Sequence, residues 1–219
     1  MIHFTLFGIP VYIRPSFWVV LAIFGGALSI NSVEGLIYPA LFVIAGFVAI
    51  LSHEMGHALV GRKLGGVQQT IVLELFGGLT SSHGMQLTRG GRALMILAGP
   101  MMTLLLGIIS LGLTWNIVAP VMTSYNLNFW DLAISPFTAA LISPKLYILS
   151  CLIMIGEWWT ILNLLPIYPL DGGQLIAQYI RSPRKVFMTG FITAILIGLL
   201  SFQLFHGYFI PIFMALFAF

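Results

Sequence analysis

Gly35-Leu-Ile-Tyr-Pro-Ala-Leu-Phe-Val-Ile-Ala-Gly-Phe-Val-Ala-Ile-Leu-Ser52 is an apolar run that leads straight into His53-Glu54-Met55-Gly56-His57. Its length and composition are those of a helix that crosses a membrane. On that helix His53 and His57 are four residues apart, so they lie about 40° from each other on one face. Both imidazoles can reach one metal ion from the same side, and Glu54 sits about 100° round from His53. This is the H-E-x-x-H pattern, in which two histidines bind zinc and a carboxylate acts as a base. Ionisable groups are costly inside a membrane span, so their presence there marks a functional site.

The rest of the chain agrees with a membrane setting. Of 219 residues, 59% are hydrophobic and 7% are charged, against about 25% charged in soluble domains. No polar stretch is long enough for a separate soluble domain, so residues 1–219 are expected to form a single domain. Cys151 is the only cysteine, which excludes an internal disulfide and a cysteine-built zinc site. The net charge of +3 is small and the basic residues form no patch for nucleic acid.

Working outward, the apolar runs predict an all-α polytopic membrane protein with five to six transmembrane helices. Span one is Ser16 to Ile30. It is read as uncleaved, because Met1 to Pro10 has no Lys or Arg and Arg14 directly precedes the apolar run. Its Gly25-Gly26 pair either admits a neighbouring helix or loosens the span locally. Span two is Leu36 to Arg62, with His53 roughly 13 Å below its polar end. Span three is Ala93 to Ile117, where Ala98-Gly99-Pro100 offers small residues for close helix contact. Ala119 to Pro144 is a long connection whose Tyr125, Phe129 and Trp130 suit the membrane interface. Span four is Lys145 to Leu165, ended by Pro166 and Pro169, with a short helix restarting at Gln174 to Ile180. Span five is Val186 to Phe205. Gly207 to Phe219 is apolar, but its 13 residues make only roughly 20 Å of helix, so a sixth span, a re-entrant piece and a truncated end all fit.

One stretch breaks the helical pattern. Thr70 to Phe76 is β-branched and aromatic, and Gly77-Gly78 follows as a turn. It reads as a short β-hairpin or edge strand between spans two and three at the membrane boundary, and equally as an ordinary cytosolic loop. With a cytosolic N-terminus, Arg14, Arg62, Lys63, Arg89, Arg92, Arg181, Arg184 and Lys185 fall on one side and only Lys145 on the other. That bias places the N-terminus and the candidate site toward the cytosol.

Two histidines need a third protein ligand. The chain offers Glu34, Glu74, Asp131, Glu157, Asp171, His3, His83 and His206. Asp131 falls on the far side and Glu34 in the outer turn. Glu157 lies deep in span four. Chemistry favours Asp171, which follows a proline-broken helix where unwound chain can turn a carboxylate into a cavity; its other reading is an N-cap of the helix Gly172 to Arg181. Glu157-Trp158-Trp159 reads as interior packing more than as a polar gate. His83 reads as solvated, and His3 and His206 as interfacial.

The HEMGH motif, together with Asn163-Leu-Leu-Pro166-Ile-Tyr-Pro169-Leu-Asp171-Gly172, resembles the site-2 protease family of intramembrane zinc metalloproteases. Gly8-Ile9-Pro10-Val11, Phe76-Gly77-Gly78 and Ala98-Gly99-Pro100 extend the resemblance over most of the chain. It implies one zinc ion (Zn2+) bound by His53, His57 and Asp171, Glu54 as general base, and a catalytic core at about residues 36–181. Arg62 to Arg92 is too short for a PDZ domain and the chain ends in apolar residues rather than a CBS pair. The expectation is therefore a minimal, prokaryotic-type member in the cell membrane.

On this reading the substrate is another membrane protein, cut within or near a transmembrane segment. Asn163 has two readings of equal weight: steadying the substrate backbone or oxyanion, and bonding the freed backbone of the broken helix. A helical substrate must unwind before its peptide bonds are accessible, and Ile71 to Phe76 is the expected edge for strand addition. The reading from a different class is a membrane metal transporter or metal sensor. Such proteins usually place several polar residues along a path between repeated halves, whereas here they gather at one depth.

Overall fold

The structure, a computed structural model, describes residues 1–65, 68–75, 77–84, 87–125, 135–180 and 182–205, with side chains described except at 120–125 and 204–205. The chain divides into two compact units, Met1–Thr160 and Ile161–Phe219.

The first unit begins with a β-hairpin ahead of the first helix. Strands β1 (Ile2–Leu6) and β2 (Ile9–Ile13) form an antiparallel hairpin. Its two-residue connection, Phe7-Gly8, has positive φ at both positions, as a type I′ turn requires. Helix α1 (Pro15–Phe24) follows, then two short 3-10 turns and helix α2 (Ile37–Lys63). Strands β3 (Gln68–Glu74) and β4 (Gly77–His83) form a second hairpin. The four strands make one sheet in the order β1-β2-β3-β4, with β2 and β3 parallel. Parallel neighbours need a crossover connection, and α1 with α2 supplies it. The motif-bearing helix is thus the return leg of a crossover, and its C-terminal end is fixed by the sheet.

Alternation decides which face of the sheet is covered. Ile9, Val11 and Ile13 of β2 and Ile71 and Leu73 of β3 point inward, against Phe17 and Leu21 of α1 and Ile50, Met55 and Ala58 of α2. Fully burying an apolar side chain of this size contributes about 1.5–3 kcal/mol. The Arg14–Glu74 ion pair at 2.8 Å joins β3 to the start of α1 with both side chains well exposed, which limits it to about 0–1 kcal/mol. Burial, not that pair, holds the sheet on the helices. Arg62 also donates to the Phe7 carbonyl oxygen at 2.6 Å, tying the hairpin turn to the end of α2.

Helix α3 (Arg89–Tyr125) packs along α2. A short helix α4 (Pro136–Ala140) leads to α5 (Pro144–Leu164), within which the boundary between the units falls. Tyr147 and Cys151 of α5 are buried with Ala45 of α2, and the Tyr38 hydroxyl donates to the Ala140 carbonyl at 3.0 Å. In the second unit, helices α6 (Asp171–Ala177) and α7 (Pro183–Phe205) follow the broken end of α5. Ile167 and Ala194 are buried there among Leu162, Leu165, Leu170, Phe191 and Ile197.

Among the described residues four helices are long and apolar enough to cross a membrane: Glu34–Lys63, Arg89–Ala119, Pro144–Leu164 and Pro183–Gln203. These correspond to expected spans two to five. Expected span one is corrected. Helix α1 has ten residues, roughly 15 Å of helix, half of what a crossing needs. It stops at Gly25-Gly26, where Gly26 has φ +85°. Gly207 to Phe219 lies outside the described residues, as do Phe76, Phe129, Trp130, Asp131, Arg181 and His206; so does the side chain of Tyr125.

The expected edge strand is also corrected. Ile71, Val72 and Leu73 are paired on one side with Val11, Tyr12 and Ile13 and on the other with Thr80, Leu79 and Gly78. Strand β3 is interior because a partner 60 residues earlier in the chain already occupies its other side. The strands with an open side, among the described residues, are β1 and β4.

The closeness of α2 and α3 generates a prediction. A Cβ on Gly56 would run into the Ala98 carbonyl group and come within 2.8 Å of Met102 Cγ, whereas nothing lies within 4 Å of a Cβ on Gly112. Gly56→Val should lower stability by about 1–3 kcal/mol or more, read as an earlier thermal loss of helical circular dichroism in detergent. Gly112→Ala should leave the transition unchanged or raise it by up to about 1 kcal/mol.

Candidate metal centre

Helix α2 brings His53 and His57 together as their spacing requires. Their Nε2 atoms are 3.1 Å apart and their rings meet edge to face, with centroids 4.7 Å apart. Both are buried, His53 to 2% exposure. The Met95 carbonyl, 2.9 Å from His57 Nδ1, can only accept, so Nδ1 carries the proton and Nε2 presents its lone pair. Such a carbonyl is the usual partner behind a metal-binding imidazole. Two imidazole nitrogens on a tetrahedral zinc ion at about 2.0–2.1 Å would be roughly 3.3 Å apart. The observed pair fits that donor geometry.

The floor of this pair is α3. A Cβ on Gly99 would overlap His57 Nε2 and approach His53 Nε2 to 2.8 Å. Ala98-Gly99-Pro100 therefore does more than permit helix contact: the missing side chain at position 99 is the space in which both imidazoles stand. Pro100 stays inside α3, and its carbonyl accepts from the hydroxyls of Thr103 at 3.0 Å and Thr160 at 3.3 Å.

Glu54 is 5% exposed, and its carboxylate is held from the sheet. The Thr80 hydroxyl lies 2.7 Å from Glu54 Oε2 and 3.1 Å from the Glu54 backbone oxygen. A Cβ on Gly78 would collide with the Glu54 side chain, lying 2.6 Å from Oε1. Gly78 and Thr80 are two apart on β4, so both face α2. Sequence reasoning took the Gly-Gly pair as a turn and missed Thr80. The one available signal was the two-residue spacing after Gly78. Trp159 lies against Gly77 on the same strand.

The other candidates go elsewhere. Glu74 is paired with Arg14. Glu34 and His83 are exposed, and His3 stacks on Tyr12 in the first hairpin. Glu157 and Trp158 are exposed rather than packed in the interior, Trp158 to 59%; Trp159 alone of the three packs against the core. The reason is helical phase, which turns positions 157, 158 and 161 outward together.

In the second unit, Asn163 and Asp171 are both buried. Asp171 is the first residue of α6, and Leu170 occupies the N-cap position that sequence allowed for Asp171. A Cβ on Gly172 would strike the carbonyls of Leu164 and Leu165, which accounts for glycine directly after the aspartate.

Residues 41–205 match the profile of Peptidase family M50. A zinc metalloprotease of Methanocaldococcus jannaschii is 29% identical over 174 residues, 79% of this chain and 43% of that protein. The chain thus spans less than half the length of this curated relative. Among solved structures, a site-2 protease from Methanocaldococcus jannaschii is similar at 25% identity with a TM-score of 0.59, covering 99% of this chain and 93% of the other. With four membrane-length helices among the described residues and this match, the chain is an integral membrane protein that belongs to peptidase family M50, the site-2 protease family.

Proposed function

We propose that this protein is a zinc-dependent intramembrane protease that hydrolyses a peptide bond in or near a transmembrane segment of another membrane protein. The observation that carries the reading is the pair of Nε2 atoms 3.1 Å apart beside a buried glutamate, all on one membrane-length helix. His53, His57 and Asp171 are the three ligands in this reading; each is buried and each offers one ligand atom. A zinc ion held by them would polarise the scissile carbonyl and lower the pKa of water toward about 7.

The chain's own groups supply the rest. His57 is held in the tautomer that leaves Nε2 unprotonated. Glu54 takes the proton from the attacking water and passes it to the leaving amine. Asn163 either contacts the substrate backbone or steadies the broken end of α5. Residues 1–219 form a single catalytic domain in the cell membrane of a prokaryote. Arg14, Arg62, Lys63, Arg89 and Arg92 stand at or near the start of α1, the end of α2 and the start of α3, and support a cytosolic N-terminus and active site.

The substrate, once unwound, adds to the sheet at β4 rather than at β3. Strand β4 is at the edge of the sheet, and it carries the residues that touch Glu54. A strand added there would pass within reach of the base, and main-chain hydrogen bonds would carry its affinity.

Three outcomes test this reading. His53→Ala, His57→Ala and Asp171→Ala should each reduce bound zinc, measured by metal analysis of purified protein, and abolish cleavage of a membrane-spanning substrate. An Asp171→Ala variant with full activity would remove Asp171 from the ligand set. Glu54→Gln should keep zinc while kcat falls about 10²–10⁴-fold; near-normal turnover would leave the mechanism untenable. Cysteines at Leu79 or Ser81, in a Cys151→Ala background, should crosslink to the substrate, and a cysteine at His3 on β1 should not. The reverse pattern would place the substrate on the other edge.

A further inference from the structure

We infer that Thr80 is a positioning residue for the general base, and that it makes the strand proposed to receive the substrate the same strand that aims Glu54. The inference rests on the protease reading above and adds a residue that the zinc-binding motif does not contain.

The Thr80 hydroxyl has two acceptors within reach, Glu54 Oε2 at 2.7 Å and the Glu54 main-chain oxygen at 3.1 Å. It carries one proton, so the two compete. Hydrogen bonds to a charged group are stronger than those between neutral groups. The main-chain oxygen also lies within α2, where the amide four residues on is its ordinary partner. The carboxylate is therefore the acceptor that needs the hydroxyl.

A glutamate side chain has several rotamers to lose on being fixed, which costs conformational entropy. One hydrogen bond of the charged kind offsets that cost and leaves one carboxylate geometry populated. Gly78 completes the arrangement: the space its side chain would fill is taken by Glu54 Cγ, Cδ and Oε1. Strand β4 thus touches the base at two alternate residues on its inner face. A substrate strand added to β4 would lie about 4.8 Å away along the sheet. Its register against β4 would then also be its register against the base, and one particular peptide bond would be presented.

The test uses the full chain, purified with zinc, acting on a membrane-spanning substrate in liposomes. Thr80→Val keeps the branched shape and strand preference but removes the hydroxyl. Thr80→Ser keeps the hydroxyl. Thr80→Val should lower kcat about 10–100-fold, with KM and zinc content within twofold of wild type. Thr80→Ser should recover most of the lost kcat. A wild-type kcat in Thr80→Val would overturn the inference, as would equal losses in both variants, which would assign the effect to shape. Loss of zinc or of folded protein in Thr80→Val would overturn it as well, because the hydroxyl would then serve the fold and not the base. An inactive wild type would count against the protease reading itself, and with it the inference that rests on it.

Discussion

The site depends on how closely two helices approach. Helix α2 carries the histidines, but α3 decides whether they can stand where they do. At Gly56 the two backbones meet with no room for a side chain, and at Gly99 the missing side chain is replaced by the imidazoles of His57 and His53. The same approach brings the Met95 carbonyl to His57 Nδ1 and fixes its tautomer. Between membrane helices there is no hydrophobic drive to associate, and small residues that permit close van der Waals contact take its place. Here the residues that allow packing also leave space for the chemistry.

The sheet performs a second task that helices alone would not. It buries its inner face on α1 and α2 and so fixes the C-terminal half of the motif helix. It also lays β4 across Glu54. The histidines are supported from α3 and the glutamate from β4. The two histidines and the glutamate are thus held by different elements.

Much of this was legible in the sequence, for identifiable reasons. The four membrane-length helices announced themselves by apolar length, and the His53–His57 pair by a spacing that only a helix turns into proximity. The first hairpin carried a signal too, two five-residue strand-like runs around Phe7-Gly8, and the apolar character of the N-terminus masked it. What sequence could not show was the partner of β3. Parallel pairing with β2 joins residues about sixty positions apart through a crossover, and no local pattern encodes it, so an interior strand was read as an edge. The length of α1 turned on whether Gly25-Gly26 bends or ends a helix, which pattern alone does not decide. Thr80 was invisible because a threonine in a strand is ordinary; only the register that puts it beside Glu54 gives it a role. The exposed faces of Glu157 and Trp158 likewise follow from helical phase against neighbours unknown to the sequence.

The central claim is that His53 and His57 hold one zinc ion through Nε2. Zinc K-edge X-ray absorption on the purified full chain tests it most directly. The account predicts one zinc per chain with two imidazole nitrogens at about 2.0–2.1 Å and oxygen completing the shell, and in His53→Ala a lower zinc content with no more than one imidazole on the zinc that remains. Zinc bound without imidazole, or a spectrum unchanged by that substitution, would contradict it.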